Sequence, residues 1–146
     1  MLILYIDDNQ ITFANKTVKI KPGYYVYVGS AMRNMLYRIK RHFRKSKKVK
    51  WHIDYLTIKY KVINAIILES TFKIESAIAR ILIEKFEYIP KFGATDTKDK
   101  SHLFYIGATN DCIKKLMEIL SQNKNKIGYT RIYWYNEGIF TDSDGS

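Results

Sequence analysis

The sequence predicts a mixed α+β fold in a single domain, and three observations carry that reading. Short β-branched and aromatic runs at Leu2–Ile6, Tyr24–Val28 and Val62–Leu68 have the length and composition of strands. Three longer stretches carry apolar residues at helical spacing instead. The chain has 146 residues, 47% of them hydrophobic, which is one domain's worth of length with ample material for a core.

Taken in order, Leu2–Ile6 reads as a strand closed by the turn formers Asp7, Asp8 and Asn9. Ile11–Ile20 is a poorer strand, interrupted at Ala14-Asn15-Lys16. After Pro22-Gly23 the Tyr/Val run Tyr24–Val28 suits a pleated, part-buried surface, which makes the first sheet an antiparallel hairpin. Gly29-Ser30 breaks that strand, and Ser30 is placed to cap a helix whose stripe is Met32, Met35, Leu36, Ile39 and Phe43. The basic connector Lys45–Lys50 leads to Trp51–Leu56, a polar and aromatic segment with no clear period. Val62–Leu68 reads as a buried strand, and a second helix runs from about Lys73 to Phe86 on Ile74, Ala77, Ile78, Ile81 and Leu82, with Pro90 and Gly93 beyond it. His102–Ile106 is another strand, Asp111–Leu120 a third amphipathic helix, and Thr130–Tyr135 a last aromatic strand before a small polar tail.

Charge is distributed unevenly. The formal net charge is +11, yet residues 9–53 hold twelve Lys and Arg with neither Asp nor Glu, and the rest of the chain is close to neutral. A segregated positive field attracts a polyanion, because each neutralised phosphate releases condensed counterions. Nucleic acid is therefore the leading partner class, with Arg41, Arg44, Lys45, Lys47 and Lys48 the expected backbone contacts, while a solvated basic helix is the plainer alternative. No run is long and apolar enough for a membrane span, and Leu2–Ile6 is too short for a signal-peptide core. The lone Cys112 permits no internal disulfide, so a cytoplasmic, intracellular setting is expected.

Two constellations carry chemistry. Tyr27 at a strand end, Arg38 and His42 one turn apart on a helix, and a carboxylate elsewhere answer the needs of phosphodiester cleavage: a polarised nucleophile, a cation for charge growing on phosphate and support for the leaving oxygen. Glu75, early in the second helix and off its apolar stripe, is the preferred carboxylate. Separately, His52, Asp54, Asp96 and His102 form a possible second polar cluster with metal-compatible N and O donors, at a spacing that matches no strong metal signature. Glycine-rich phosphate loops, nucleophile elbows and dinucleotide fingerprints are absent from the sequence.

Gly23-Tyr24-Tyr25-Val26-Tyr27-Val28-Gly29-Ser30-Ala31, Arg38-Ile39-Lys40-Arg41-His42, Trp51-His52-Ile53-Asp54-Tyr55-Leu56 and Ser101-His102-Leu103-Phe104-Tyr105, in that order, resemble the Uri-type branch of the GIY-YIG endonuclease superfamily. The resemblance covers residues 1–106 and leaves 107–146 as a C-terminal helix-strand extension packed on the same domain. It implies a small three-stranded antiparallel sheet flanked by helices, and an endonuclease acting on DNA with one Mg²⁺ or Mn²⁺ ion. Residue by residue it implies that Tyr27 organises the attacking water, Arg38 stabilises phosphate charge, His42 assists nearby and Glu75 binds the metal through oxygen, as a hard cation requires, with Glu84 and Glu69 as the alternative matches for that glutamate. The chain departs from the pattern in two places. It lacks the glycine of the first signature, for whose tyrosine Tyr5 is a shifted substitute and Tyr25 a reserve, and Thr97 and Asp99 stand where the branch tends to have cysteines. A non-catalytic nucleic-acid-binding module on the same fold is the alternative function, and a protein-interaction domain using its many aromatic side chains is a third.

Overall fold

The computed structural model describes residues 1–95, 97–136 and 139–142. Its strands are β1 (Leu2–Ile6), β2 (Gln10–Phe13), β3 (Lys16–Lys19), β4 (Gly23–Tyr27), β5 (Lys61–Glu69), β6 (Glu87–Tyr88), β7 (Leu103–Gly107), β8 (Arg131–Asn136) and β9 (Ile139–Asp142). The helices are α1 (Met35–Phe43), α2 (His52–Lys59), α3 (Glu75–Ile83), α4 (Asp111–Gln122) and the short α5 (Lys124–Ile127). The fold is α+β, as the sequence predicts, but the sheet is larger than the three strands expected. Among the described residues seven strands run in the order β6-β7-β4-β1-β5-β8-β9, every neighbouring pair antiparallel. The aromatic strand of the C-terminal segment, β8, joins that sheet through β5.

β1 lies at the sheet's centre, so its almost wholly apolar sequence is buried on both faces. On one face Ile3 and Val26 meet Ile78 and Leu82 of α3 and Leu116 and Leu120 of α4. On the other, Leu2, Leu4 and Tyr25 meet Ile39 of α1, Ile53 and Leu56 of α2, and Ile11 and Phe13 of the small β2-β3 ribbon. The weak strand signal over residues 11–20 resolves into that ribbon, whose two turn residues Ala14 and Asn15 both have positive φ, 47° and 64°, as a tight hairpin turn requires.

Two local readings change. Asn34, in the left-handed conformation at φ 55°, precedes α1, so Ser30 is not its cap and Met32 lies before the helix, 57% exposed. The narrower stripe Met35, Ile39 and Phe43 packs on the core instead. The segment of unclear period after Trp51 is a helix. Asp54, its third residue, accepts the backbone N–H of Trp51 at the N-cap position at 3.0 Å, one half of a capping box.

The pairing also creates a gap. β4 and β5 both flank β1, so they run parallel to each other, and β1 begins at Leu2, opposite Tyr27 and Ala65. β5 continues to Glu69, beyond its last β1 partner, while β4 ends at Tyr27, after which the Val28 N–H still donates to the His102 carbonyl before β7. Beyond the start of β1 no strand among the described residues lies between the two, which opens one end of the sheet.

Candidate active site

A cleft of about 570 Å³ occupies that end, within the size range of small-ligand sites. Tyr27 enters it from the end of β4, Arg38 and His42 from α1, Glu75 from the first residue of α3, and His102 from the residue before β7. Residues 27, 38, 42 and 75 are thus assembled from three elements separated by up to 48 positions in the chain.

Tyr27 is wedged between backbone segments. A Cβ at Gly29 would stand 3.1 Å from its Cε2, and one at Gly93 would stand 3.0 Å from its Cε1. Phe92 meets the ring edge-on at 6.1 Å. Gly93 also has φ +66°, so it is required both by its backbone and by its neighbour. Gly93→Ala is expected to lose about 1–2 kcal/mol from the left-handed backbone, with displacement of the Tyr27 ring added to it. Denaturant unfolding measures the loss, and stability equal to the wild type would remove the argument for a clamped tyrosine.

His42 is half-buried, and its Nδ1 is buried with no hydrogen-bond partner among the described residues. Burial, reinforced by the Lys47 ammonium, pulls its pKa down to about 4. The imidazole is therefore neutral at pH 7 and offers a lone pair rather than a charge. Arg38 is held differently, with its guanidinium carbon 5.0 Å from the centre of the Trp51 ring, which also lines the cleft.

Of the three candidate carboxylates for metal, Glu75 is the one best placed. Glu69 also borders the cleft but accepts the Tyr133 hydroxyl at 3.1 Å, and Glu84 sits at the opposite end of α3. One carboxylate and a tyrosine hydroxyl in the same cleft, with space for water and phosphate, make an all-oxygen donor set of the kind a hard divalent cation takes, so these residues fit Mg²⁺ or Mn²⁺. Glu75 also suits the positive end of the α3 dipole, which is its plain structural role.

Tyr5 does not join the group. It pairs with Tyr24, three residues along β1 from the Leu2–Tyr27 pair, which is about 10 Å, and an odd number of steps puts it on the other face of the sheet. Its ring packs edge-on against Tyr24 at 5.0 Å. Tyr25 is no substitute, being 1% exposed with its hydroxyl donated to the Lys21 carbonyl at 2.7 Å.

The described members of the second polar cluster each have a hydrogen-bond partner outside it. Asp54, wholly buried, accepts both Arg41 guanidinium nitrogens, Nη1 at 2.7 Å and Nη2 at 3.0 Å, together with the backbone N–H groups of Lys50 and Trp51. Burial alone would raise the Asp54 pKa, but Arg41 and those N–H groups hold it below the ordinary carboxylate value. His52 Nδ1 accepts the Gly93 N–H at 3.0 Å. His102 Nε2 instead meets Asp99 Oδ2 at 2.8 Å, and Ser76 donates to the same oxygen at 2.6 Å. Asp96 lies outside the described residues. Asp99 is marked in the sequence only as standing where the resembled branch tends to have a cysteine, and Ser76 only as the residue after Glu75; folding makes them the link between α3 and the start of β7.

The basic segment is corrected in the same way. Arg41 is 9% exposed and committed to Asp54 and the Lys48 carbonyl, so it is not a surface contact. Lys47 donates to the Arg41 and His42 carbonyls in the last turn of α1, and burial lowers its pKa to about 8. Lys45 reaches the Thr57 and Tyr60 carbonyls at the end of α2. Of the five backbone-contact residues expected, Arg44, Lys45 and Lys48 are exposed without an ion pair among the described residues, Lys45 with its ammonium on the two α2 carbonyls. Among the described residues no helix is long and apolar enough to cross a membrane.

Residues 1–125 match the family described as Domain of unknown function DUF123. That match runs past residue 106 and takes in α4. No curated protein and no solved structure shows a significant match to the chain.

Proposed function

The chain belongs to the DUF123 family, and we propose that within it this protein is a metal-dependent endonuclease of GIY-YIG type acting on DNA. The observation that carries the reading is the meeting of Tyr27, Arg38, His42 and Glu75 in one cleft, although the chain supplies them from three separate elements.

Each side chain has a task there. Tyr27, clamped between Gly29 and Gly93, presents its hydroxyl to orient the attacking water. Neutral His42 accepts a hydrogen bond from that water or from the tyrosine hydroxyl; with a pKa near 4 it is too weak a base to keep the proton, which passes to solvent while the departing oxygen takes one up from solvent. Arg38 provides the fixed positive charge for phosphate oxygens as the attacking oxygen bonds to phosphorus and the leaving oxygen departs. Glu75 would hold the divalent ion, which when bound polarises a phosphoryl oxygen and lowers the pKa of a coordinated water.

Supercoiled plasmid incubated with the protein in Mg²⁺ or Mn²⁺ tests this reading. Nicking is expected in the wild type, blocked by chelator, and reduced about a hundredfold or more in Glu75→Ala. Equal cleavage by wild type and variant would point to a contaminant and sink the assignment. The position of Tyr5, three residues along β1 from the Leu2–Tyr27 pair and on the opposite face of the sheet from Tyr27, favours a second reading, a nucleic-acid-binding module without catalysis. It predicts salt-sensitive binding and no metal-dependent cleavage.

A further inference from the structure

The cleft is bordered by exposed aromatic rings. Among the described residues, the large apolar side chains left exposed all fall between Met32 and Phe72, so most of them lie in or beside the segment that carries the positive charge. Trp51, 40% exposed, and Phe72, 56% exposed, both line the cleft. Each has basic company: Arg38 and Lys50 approach the Trp51 ring at 5.0 and 5.2 Å, and Lys73 follows Phe72 and shares its place in the lining. Tyr37, at 63% the most exposed of these rings, stands on α1 with Lys40 and Arg44 three and seven positions on, and the Arg44 guanidinium is 5.9 Å from its centre.

Rings and cations interleaved in this way suit one kind of polyanion better than another. A duplex turns its phosphates and groove edges outward and keeps its base faces stacked inside, so it gives an exposed indole or phenyl ring nothing to stack on. An unpaired strand offers a π-face at every nucleotide and a phosphate between each pair. The rings are also costly to leave in water, and stacking removes that cost.

Resting on the nuclease reading above, we propose that the substrate is a single-stranded or locally unpaired nucleic-acid segment. Its bases stack on Trp51 and Phe72 at the mouth of the cleft and on Tyr37 along α1, and its phosphates meet Arg38, Arg44 and Lys73. The reacting phosphodiester is then presented with its flanking bases already splayed.

Binding of a labelled short oligothymidylate, and of the same strand annealed to its complement, tests the proposal in chelator, where no cleavage occurs. Wild-type protein is expected to bind the single strand at least about tenfold more tightly than the duplex. Tyr37→Ala and Phe72→Ala, at positions exposed enough to leave folding intact, are each expected to weaken single-strand binding about tenfold and to leave duplex binding nearly unchanged. Trp51→Phe is expected to retain more of the affinity than Trp51→Ala. Equal affinity for the two forms, or aromatic variants that bind the single strand like wild type, overturns the proposal. So does a protein that ignores both DNAs but binds anionic lipid vesicles. The nuclease reading is judged separately: tight, aromatic-dependent single-strand binding without cleavage in Mg²⁺ or Mn²⁺ sinks that reading alone, and aromatic-independent cleavage of duplex sinks this one alone.

Discussion

Asp54→Ala is expected to lower the melting temperature by roughly 10–20 °C, a large effect for one substitution. Asp54 is fully buried and its two oxygens receive four hydrogen bonds, two from Arg41 and one each from the Lys50 and Trp51 backbones. Removing the carboxylate leaves the Arg41 guanidinium buried without its counter-charge, a change that costs about 3–5 kcal/mol. It also unties the N-terminus of α2 from the end of α1. The sign of the pH dependence follows from the depressed pKa of Asp54. Its stabilisation is complete above the unfolded carboxylate value, about pH 4, and is lost as pH falls through the lower folded value. Wild type is therefore expected to lose stability steeply at acid pH and the variant less so, as read by thermal melts across that range. Replacing the pair together, with Arg41→Met and Asp54→Leu, is expected to recover much of the loss, because an apolar pair leaves no orphaned charge. A single variant that melts with wild type would show the pair to be dispensable.

Arg38→Ala is expected to reduce the rate of DNA cleavage about a hundred- to a thousandfold, with a smaller effect on affinity. Arg38 is partly buried on α1, set against the Trp51 ring and lining the cleft. A charge held in place before the reaction stabilises the transition state more than the bound phosphodiester, so its loss falls on kcat rather than KM. Arg38→Lys is expected to restore only part of the rate, since an ammonium lacks the planar fork that grips two phosphate oxygens and stacks on indole. Single-turnover cleavage separates the two effects. Arg38→Ala cleaving at more than about a third of the wild-type rate would exclude a transition-state role for Arg38.

The arginine's position is legible in the sequence because Arg38 and His42 are one helical turn apart, and a four-residue step places side chains on one face whatever surrounds the helix. Tyr27 at a strand end and Glu75 at a helix start are legible for a similar reason, since each belongs to an element marked by its immediate neighbours. Tyr5 is not. Its neighbours in the chain say that it lies on a strand, but its face depends on the register of β1 against β4, and a shift of one residue would reverse it. The lysine run misleads for a related reason. Lys45, Lys47 and Arg41 look like free surface charge until the chain folds back through residues 44–50 and brings carbonyls and Asp54 within reach.

Composition and periodicity are therefore enough to determine that the chain is α+β, where its main strands and helices lie, and that its positive charge is concentrated in residues 9–53. Those properties depend on residues within a few positions of one another. Folding decides the rest: that seven described strands rather than three form the sheet, that part of the basic segment is consumed in capping helices and neutralising Asp54, and that four distant side chains line one cleft beyond the start of β1. Each of these depends on pairing across long stretches of chain, where the partner is chosen by sheet register and packing rather than by local sequence.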